Sequence, residues 1–193
     1  MRRRGALIVL IGTAALAAGC GTTPNASFYT LRAEAALATT GTSSITIIVG
    51  PITLPDAVDR PQLVISTAGN RVQIEEFHRW AEPLKTAIPQ VIAARLRRQL
   101  GTPSTASFSD VAITDPDFRV LIDVQRFESR LGDAATVEAL WTVRLRDGRA
   151  RTGHTLAREP VANGGYDALV AAHGRALTTV SRDISDAIQA LNP

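Results

Sequence analysis

Hydrophobic and polar residues alternate strictly through the second half of the chain. Between Asp117 and Glu128, Phe118, Val120, Ile122 and Val124 fall on one side and Arg119, Asp123 and Gln125 on the other. That period of two is the signature of a half-buried strand. After the turn residues Leu131-Gly132-Asp133, a second alternating run carries Val137, Ala139, Trp141, Val143 and Leu145. Asp147-Gly148 then marks a hairpin into a further strand through Leu156. Beyond Gly164-Gly165 the period changes. Tyr166, Leu169, Val170, His173, Leu177, Val180, Ile184, Ile188 and Leu191 recur at helical spacing, which predicts a long helix with one apolar stripe packed on the sheet.

The first half is more broken. Phe28-Tyr29-Thr30-Leu31 is strand-like and is expected to dock, while Ala33 to Ser44, rich in Ala, Thr, Gly and Ser, reads as a connection. The β-branched run Ile45 to Val49 predicts a buried strand ending at Gly50-Pro51. Pro51, Pro55 and Pro61 hold an extended loop, because each locks φ and restricts the residue before it. Gln62 to Thr67 and Arg71 to Glu75, joined by Ala68-Gly69-Asn70, predict a hairpin. Pro83 opens a helix on Leu84, Ile88, Val91, Ile92, Leu96 and Leu100 that stops at Gly101, with Arg95, Arg97 and Arg98 near its carboxyl end. Pro89 inside that run predicts a bend or a detached first turn. Ser104 to Ser109 is expected as a short strand. The fold class is a single α/β domain, a mixed β-sheet with an antiparallel second half and two long helices packed on it.

The amino terminus changes this picture. Met1-Arg2-Arg3-Arg4 precedes an apolar run, Ala6 to Ala18, that is too short to span a bilayer, followed by Leu16-Ala17-Ala18-Gly19-Cys20. A positive start, an apolar middle and small residues at the cleavage point make a secretory signal peptide. A cysteine at that point resembles a bacterial lipobox, in which the thiol of Cys20 receives palmitate-class acyl chains. This lipobox departs from the commonest form, since Leu16 stands four residues before the cysteine and Ala17 takes the usual Leu position. Residues 1–19 are read as the signal peptide, 20–44 as lipid anchor and flexible tether, and 45–193 as the folded periplasmic domain. Gly21 to Ser27, as a coil, reaches roughly 15 Å.

Charge and chemistry then narrow the function. The chain holds 21 Lys+Arg against 18 Asp+Glu, so losing Arg2, Arg3 and Arg4 with the signal peptide leaves a formally neutral domain. Nucleic acid is excluded as a partner class, because it needs a large basic footprint. Cys20 is the only cysteine, so no intramolecular disulfide forms. His78, His154 and His173 have no metal-ligand spacing, and no nucleophile elbow, phosphate-binding glycine loop or dinucleotide fingerprint is present. Asp115-Pro116-Asp117 reads as a turn before a strand, and His173, on the helix stripe, as a packed histidine. The chain is therefore read as non-enzymatic, with no catalytic residues, no cofactor and no metal.

Three segments carry a resemblance. Phe28-Tyr29-Thr30-Leu31, then Val49-Gly50-Pro51-Ile52-Thr53-Leu54-Pro55 with Asp59-Arg60-Pro61-Gln62-Leu63-Val64, then Phe77-His78-Arg79-Trp80-Ala81-Glu82-Pro83-Leu84 follow the lipobox in a distinctive order. The chain resembles the ABC-type transport auxiliary lipoproteins, the PqiC-like family of intermembrane transport systems. Phe118 to Phe127 and the Trp141 strand extend the likeness over the mature chain. Phe28 departs from it, where the family more often has a second Tyr. The resemblance implies a non-catalytic lipoprotein subunit that works with an MCE-domain protein moving lipid between membranes and supporting outer-membrane integrity. It implies attachment through N-terminal acyl chains, and self-association as a ring. Gly21, in place of an Asp that retains lipoproteins in the inner membrane, favours the periplasmic face of the outer membrane.

Arg60, Arg79 and Trp80 are the candidate partner contacts. The same residues have a structural reading: Arg79 to Pro83 start a helix with Trp80 over the core, and Asp59 and Arg60 brace a loop against backbone or Glu82. Two other functions stand beside the transport subunit. The domain carries lipid in its own groove, or it is a membrane-tethered envelope hydrolase.

Overall fold

The computed structural model describes residues 24–32, 43–108 and 115–191. In chain order the elements are β1 (Ser27–Tyr29), β2 (Ile47–Thr53), β3 (Gln62–Ser66), β4 (Val72–Trp80), α1 (Leu84–Leu100), β5 (Thr105–Ser107), β6 (Phe118–Ser129), β7 (Ala134–Leu145), β8 (Ala150–Pro160) and α2 (Tyr166–Leu191). The signal peptide and Cys20 lie outside the described residues, as do most of the tether and the Ala/Thr connection.

The alternating runs pair as their pattern requires. β6, β7 and β8 form an antiparallel meander, and β2 and β5 extend it in parallel to give the order β5-β2-β6-β7-β8. Phe118, Val120, Ile122 and Val124 are buried against the helices, while Arg119, Asp123 and Gln125 face solvent. A bulge between Val124 and Arg126 shifts the phase by one residue, so Phe127 and Ser129 continue the buried side. α2 lies on β7 and β8 and against α1, burying Leu169, Ala172, His173, Leu177, Val180, Ile184 and Ile188. Each large apolar side chain so buried contributes roughly 1.5–3 kcal/mol.

The hairpin expected at Gln62 to Glu75 leaves the main sheet and forms a second, smaller one. Its order is β1-β4-β3, with β1 parallel and β3 antiparallel to β4. The domain therefore begins before residue 45: β1 pairs through Tyr29↔Trp80, and Leu31 is buried in the core. β4 runs nine residues to Trp80 because β1 gives its second half a pairing partner. Arg79 and Trp80 thus end a strand, and the helix starts at Leu84.

α1 is one continuous helix through Pro89, whose missing N–H leaves the Lys85 carbonyl without its in-helix donor. Gly101 closes it in the left-handed conformation, its N–H donating to the Arg97 carbonyl. β2 continues through Gly50-Pro51, a cis peptide, with a register shift against β6 between Val49 and Ile52. Gly50 has φ +122°, and a Cβ there would sit 2.8 Å from Phe108 Cβ, so only glycine fits. Among the described residues no helix is long and apolar enough to cross a membrane.

Candidate partner-docking site

Two of the motif segments meet where β3 begins and β4 ends. The three prolines give the loop its course. Pro55 accepts from the Val58 N–H at 3.0 Å, and the Arg60 N–H donates to the Val58 carbonyl at 2.9 Å. The Trp80 N–H then donates to the Pro61 carbonyl at 2.7 Å, and the Ala81 N–H to the Tyr29 carbonyl at 2.8 Å. These bonds bring Asp59-Arg60-Pro61 against Trp80 to Pro83 and enclose a cavity of about 370 Å³.

Trp80 forms the inner wall. Only 6% of it is exposed, and its ring meets Phe127 and His173 edge-on, with centroids 6.1 and 6.3 Å away. Its large contact area belongs to the core, as the structural reading of Trp80 has it. Phe127 and His173 stack at 4.0 Å, and the His173 Nε2 is 2.8 Å from the Ser129 hydroxyl. Full burial pushes the His173 pKa down to about 3, so this imidazole is neutral and structural.

Arg60 and Glu82 supply the polar character of the cavity. Among the described residues neither the Arg60 guanidinium nor the Glu82 carboxylate has an ion-pair partner within 4.0 Å, and the Arg60 Nε is buried without a hydrogen bond. A buried guanidinium donor left unmatched costs stability. Asp59 does not satisfy it, because it pairs with Lys85 at 2.5 Å; that hydrogen bond raises the Lys85 pKa.

Arg79 is not part of the cavity. Alternation along β4 turns it to the opposite face from Trp80, where its Nε donates to the Glu76 carbonyl at 2.8 Å and it pairs with the Glu76 carboxylate at 3.5 Å. Of the three candidates, Arg60 and Trp80 come together and Arg79 stands apart. Glu82, which the sequence offers as a partner for Asp59 and Arg60, lines the same cavity as Arg60.

A second polar–aromatic contact fastens the small sheet to α2. The Tyr29 hydroxyl is 2.8 Å from His78 Nδ1, and the His78 ring stacks on Tyr166 at 3.6 Å. Burial and then the neighbouring Glu75 carboxylate push the Tyr166 pKa up to about 12, so its phenol stays protonated. Among the described residues no group of three or more His, Cys, Asp or Glu could hold a metal ion.

The family model for the ABC-type transport auxiliary lipoprotein component matches residues 29–185, which takes in both walls of the cavity, all of α1 and most of α2. The chain belongs to that family. Solved structures of similar fold share little sequence with this auxiliary lipoprotein. The crystal structure of an uncharacterized protein is 19% identical with a TM-score of 0.71, covering 86% of this chain and 99% of its own. Protein XCC0632 from Xanthomonas campestris is 20% identical with a TM-score of 0.67, covering 83% of this chain and 93% of its own. At such identities the likeness speaks for the fold alone. No curated protein sequence matches the chain.

Proposed function

We propose that this lipoprotein is a non-catalytic subunit of an ABC/MCE-type intermembrane lipid transport system. Acyl chains at Cys20 hold it on the periplasmic face of the outer membrane, and its domain docks an MCE-domain protein there. Several acyl chains, at about 0.8 kcal/mol per buried methylene, give lasting attachment. Docking uses the cavity between Arg60 and Glu82. The observation that supports this reading is that Arg60 and Glu82 line one cavity with Pro61, Trp80 and Pro83, and that the Arg60 Nε is buried there without a hydrogen bond. An interface segment presenting a carboxylate to Arg60 and a donor to Glu82 would satisfy both, and the Trp80, Pro61 and Pro83 surfaces would exclude water around them.

The test is crosslinking in cells followed by affinity capture from separated inner and outer membranes, with Cys20→Ala as control. An MCE-domain protein recovered with the native chain from the outer-membrane fraction, and lost from that fraction with Cys20→Ala, is the expected result. Capture of the native chain alone, or with unrelated envelope proteins, would overturn the proposal.

A further inference from the structure

The outer face of the small sheet carries exposed apolar side chains among its polar ones, where a solvated sheet face is ordinarily polar. Strand pairing determines which side chains share that face. Leu63 points into the core, so Gln62, Val64 and Ser66 take the other face with their β4 partners Arg79, Ile74 and Val72, although Val64 is itself only 9% exposed. Phe28 lies opposite Arg79 across the β1–β4 pair, and Phe77, exposed in the irregular stretch of β4 between Glu75 and Arg79, stands two residues before Arg79. Exposure is 65% for Phe28, 57% for Val72, 41% for Ile74 and 40% for Phe77. Single exposed apolar residues are commonplace, whereas a contiguous group marks a surface that meets something. Arg79, in its midst, is already paired with Glu76.

We propose that this face rests on the lipid surface to which the chain is anchored, with Phe28 and Phe77 set among the headgroups. The inference rests on the acylation of Cys20 proposed above. What carries it is where the anchoring segment enters the fold. Six residues separate Cys20 from Ser27, a span of at most about 25 Å even when fully extended. The strand that receives this segment, β1, itself contributes Phe28 to the patch. A tether this short holds the patch beside the bilayer at high effective concentration, so even modest apolar burial keeps it seated. A second copy of the chain would have to compete with that proximity.

The experiment uses the full acylated chain in vesicles of phosphatidylethanolamine and phosphatidylglycerol carrying brominated acyl chains, which quench tryptophan on contact. Phe28→Trp and Phe77→Trp report on the patch, and Leu156→Trp, on the solvent face of the larger sheet, is the control. The expected result is several-fold stronger quenching of the first two than of the control, measured on chains that float with the vesicles. Flotation with equal or negligible quenching at all three positions would overturn the face assignment and leave the anchor standing. Failure to float would overturn both. Absent quenching, with an oligomer that Phe77→Asp dissolves, would assign the face to a second copy instead.

Discussion

At the residue scale, two side chains show how closely the core is specified. Gly153 lies opposite Trp141 in the β7–β8 ladder, and a Cβ there would sit 2.1 Å from the indole. Glycine lets the ring lie flat and donate from Nε1 to the Thr155 hydroxyl at 3.0 Å, which in turn bonds Asp183 on α2. Gly153→Ala forces the ring out of place and should cost about 1–3 kcal/mol. Thermal melts and the near-ultraviolet dichroism of Trp141 would report it. His173 makes the second case. Its ordinary pKa of 6.5 falls to about 3 in the fold, so between those values the unfolded chain binds a proton that the folded chain refuses. Its contribution is complete above pH 6.5 and is lost toward pH 3 by up to about 1.4 kcal/mol per pH unit. The double variant His173→Phe, Ser129→Ala, which leaves no orphaned hydroxyl, should flatten the decline of stability from pH 6 to pH 4 in denaturant titrations. At this scale the sequence shows less than the fold does. His173 on an apolar stripe is recognisable as a packed histidine, and Glu82 as a neighbour of Arg60, but the cavity they line with Trp80 depends on two loops folding together.

At the scale of elements, periodicity marks the long segments and pairing determines the rest. The meander and both helices are legible because their patterns persist over many residues. β2 extends past Gly50-Pro51 and β4 past Glu75 for reasons no local pattern contains, namely partners on β6 and β1 that are distant in sequence. The same non-local pairing separates the hairpin into its own sheet. The junction of β2 and β6 is held by Asp117, whose carboxylate accepts from both the Thr46 N–H and its hydroxyl at 2.8 Å and pairs with Arg146 at 3.0 Å. The Thr46 N–H, its hydroxyl and then Arg146 hold this carboxyl below the usual carboxylate range. The stability it adds is present above pH 3.8 and lost as pH falls through the lowered value. Asp117→Ala should cost about 1–2 kcal/mol at neutral pH and remove that acid-sensitive step. Its decline begins at pH 3.8, well below the pH 6.5 at which that of His173 begins, so chemical denaturation between those values reads His173 without it.

At the scale of the whole molecule, the small sheet and the start of α1 gather the features the core does not use. The Arg60–Glu82 cavity and the apolar face with Phe28 and Phe77 both belong to the part of the domain nearest the anchoring segment. The meander, by comparison, is given over to packing α2, while α1 lies on β2 and β5. On the proposed reading, a lipoprotein so arranged holds to a membrane at one surface and presents a charged pocket to a protein at another. The most direct measurement is the recovery of the MCE-domain protein by chains carrying Arg60→Glu, at matched abundance and thermal stability. Reversing an unmatched charge at the centre of an interface should weaken docking by about 2 kcal/mol or more, roughly thirtyfold, and abolish capture from the outer-membrane fraction. Capture undiminished by Arg60→Glu would contradict the account, because the cavity would then have no part in holding the partner.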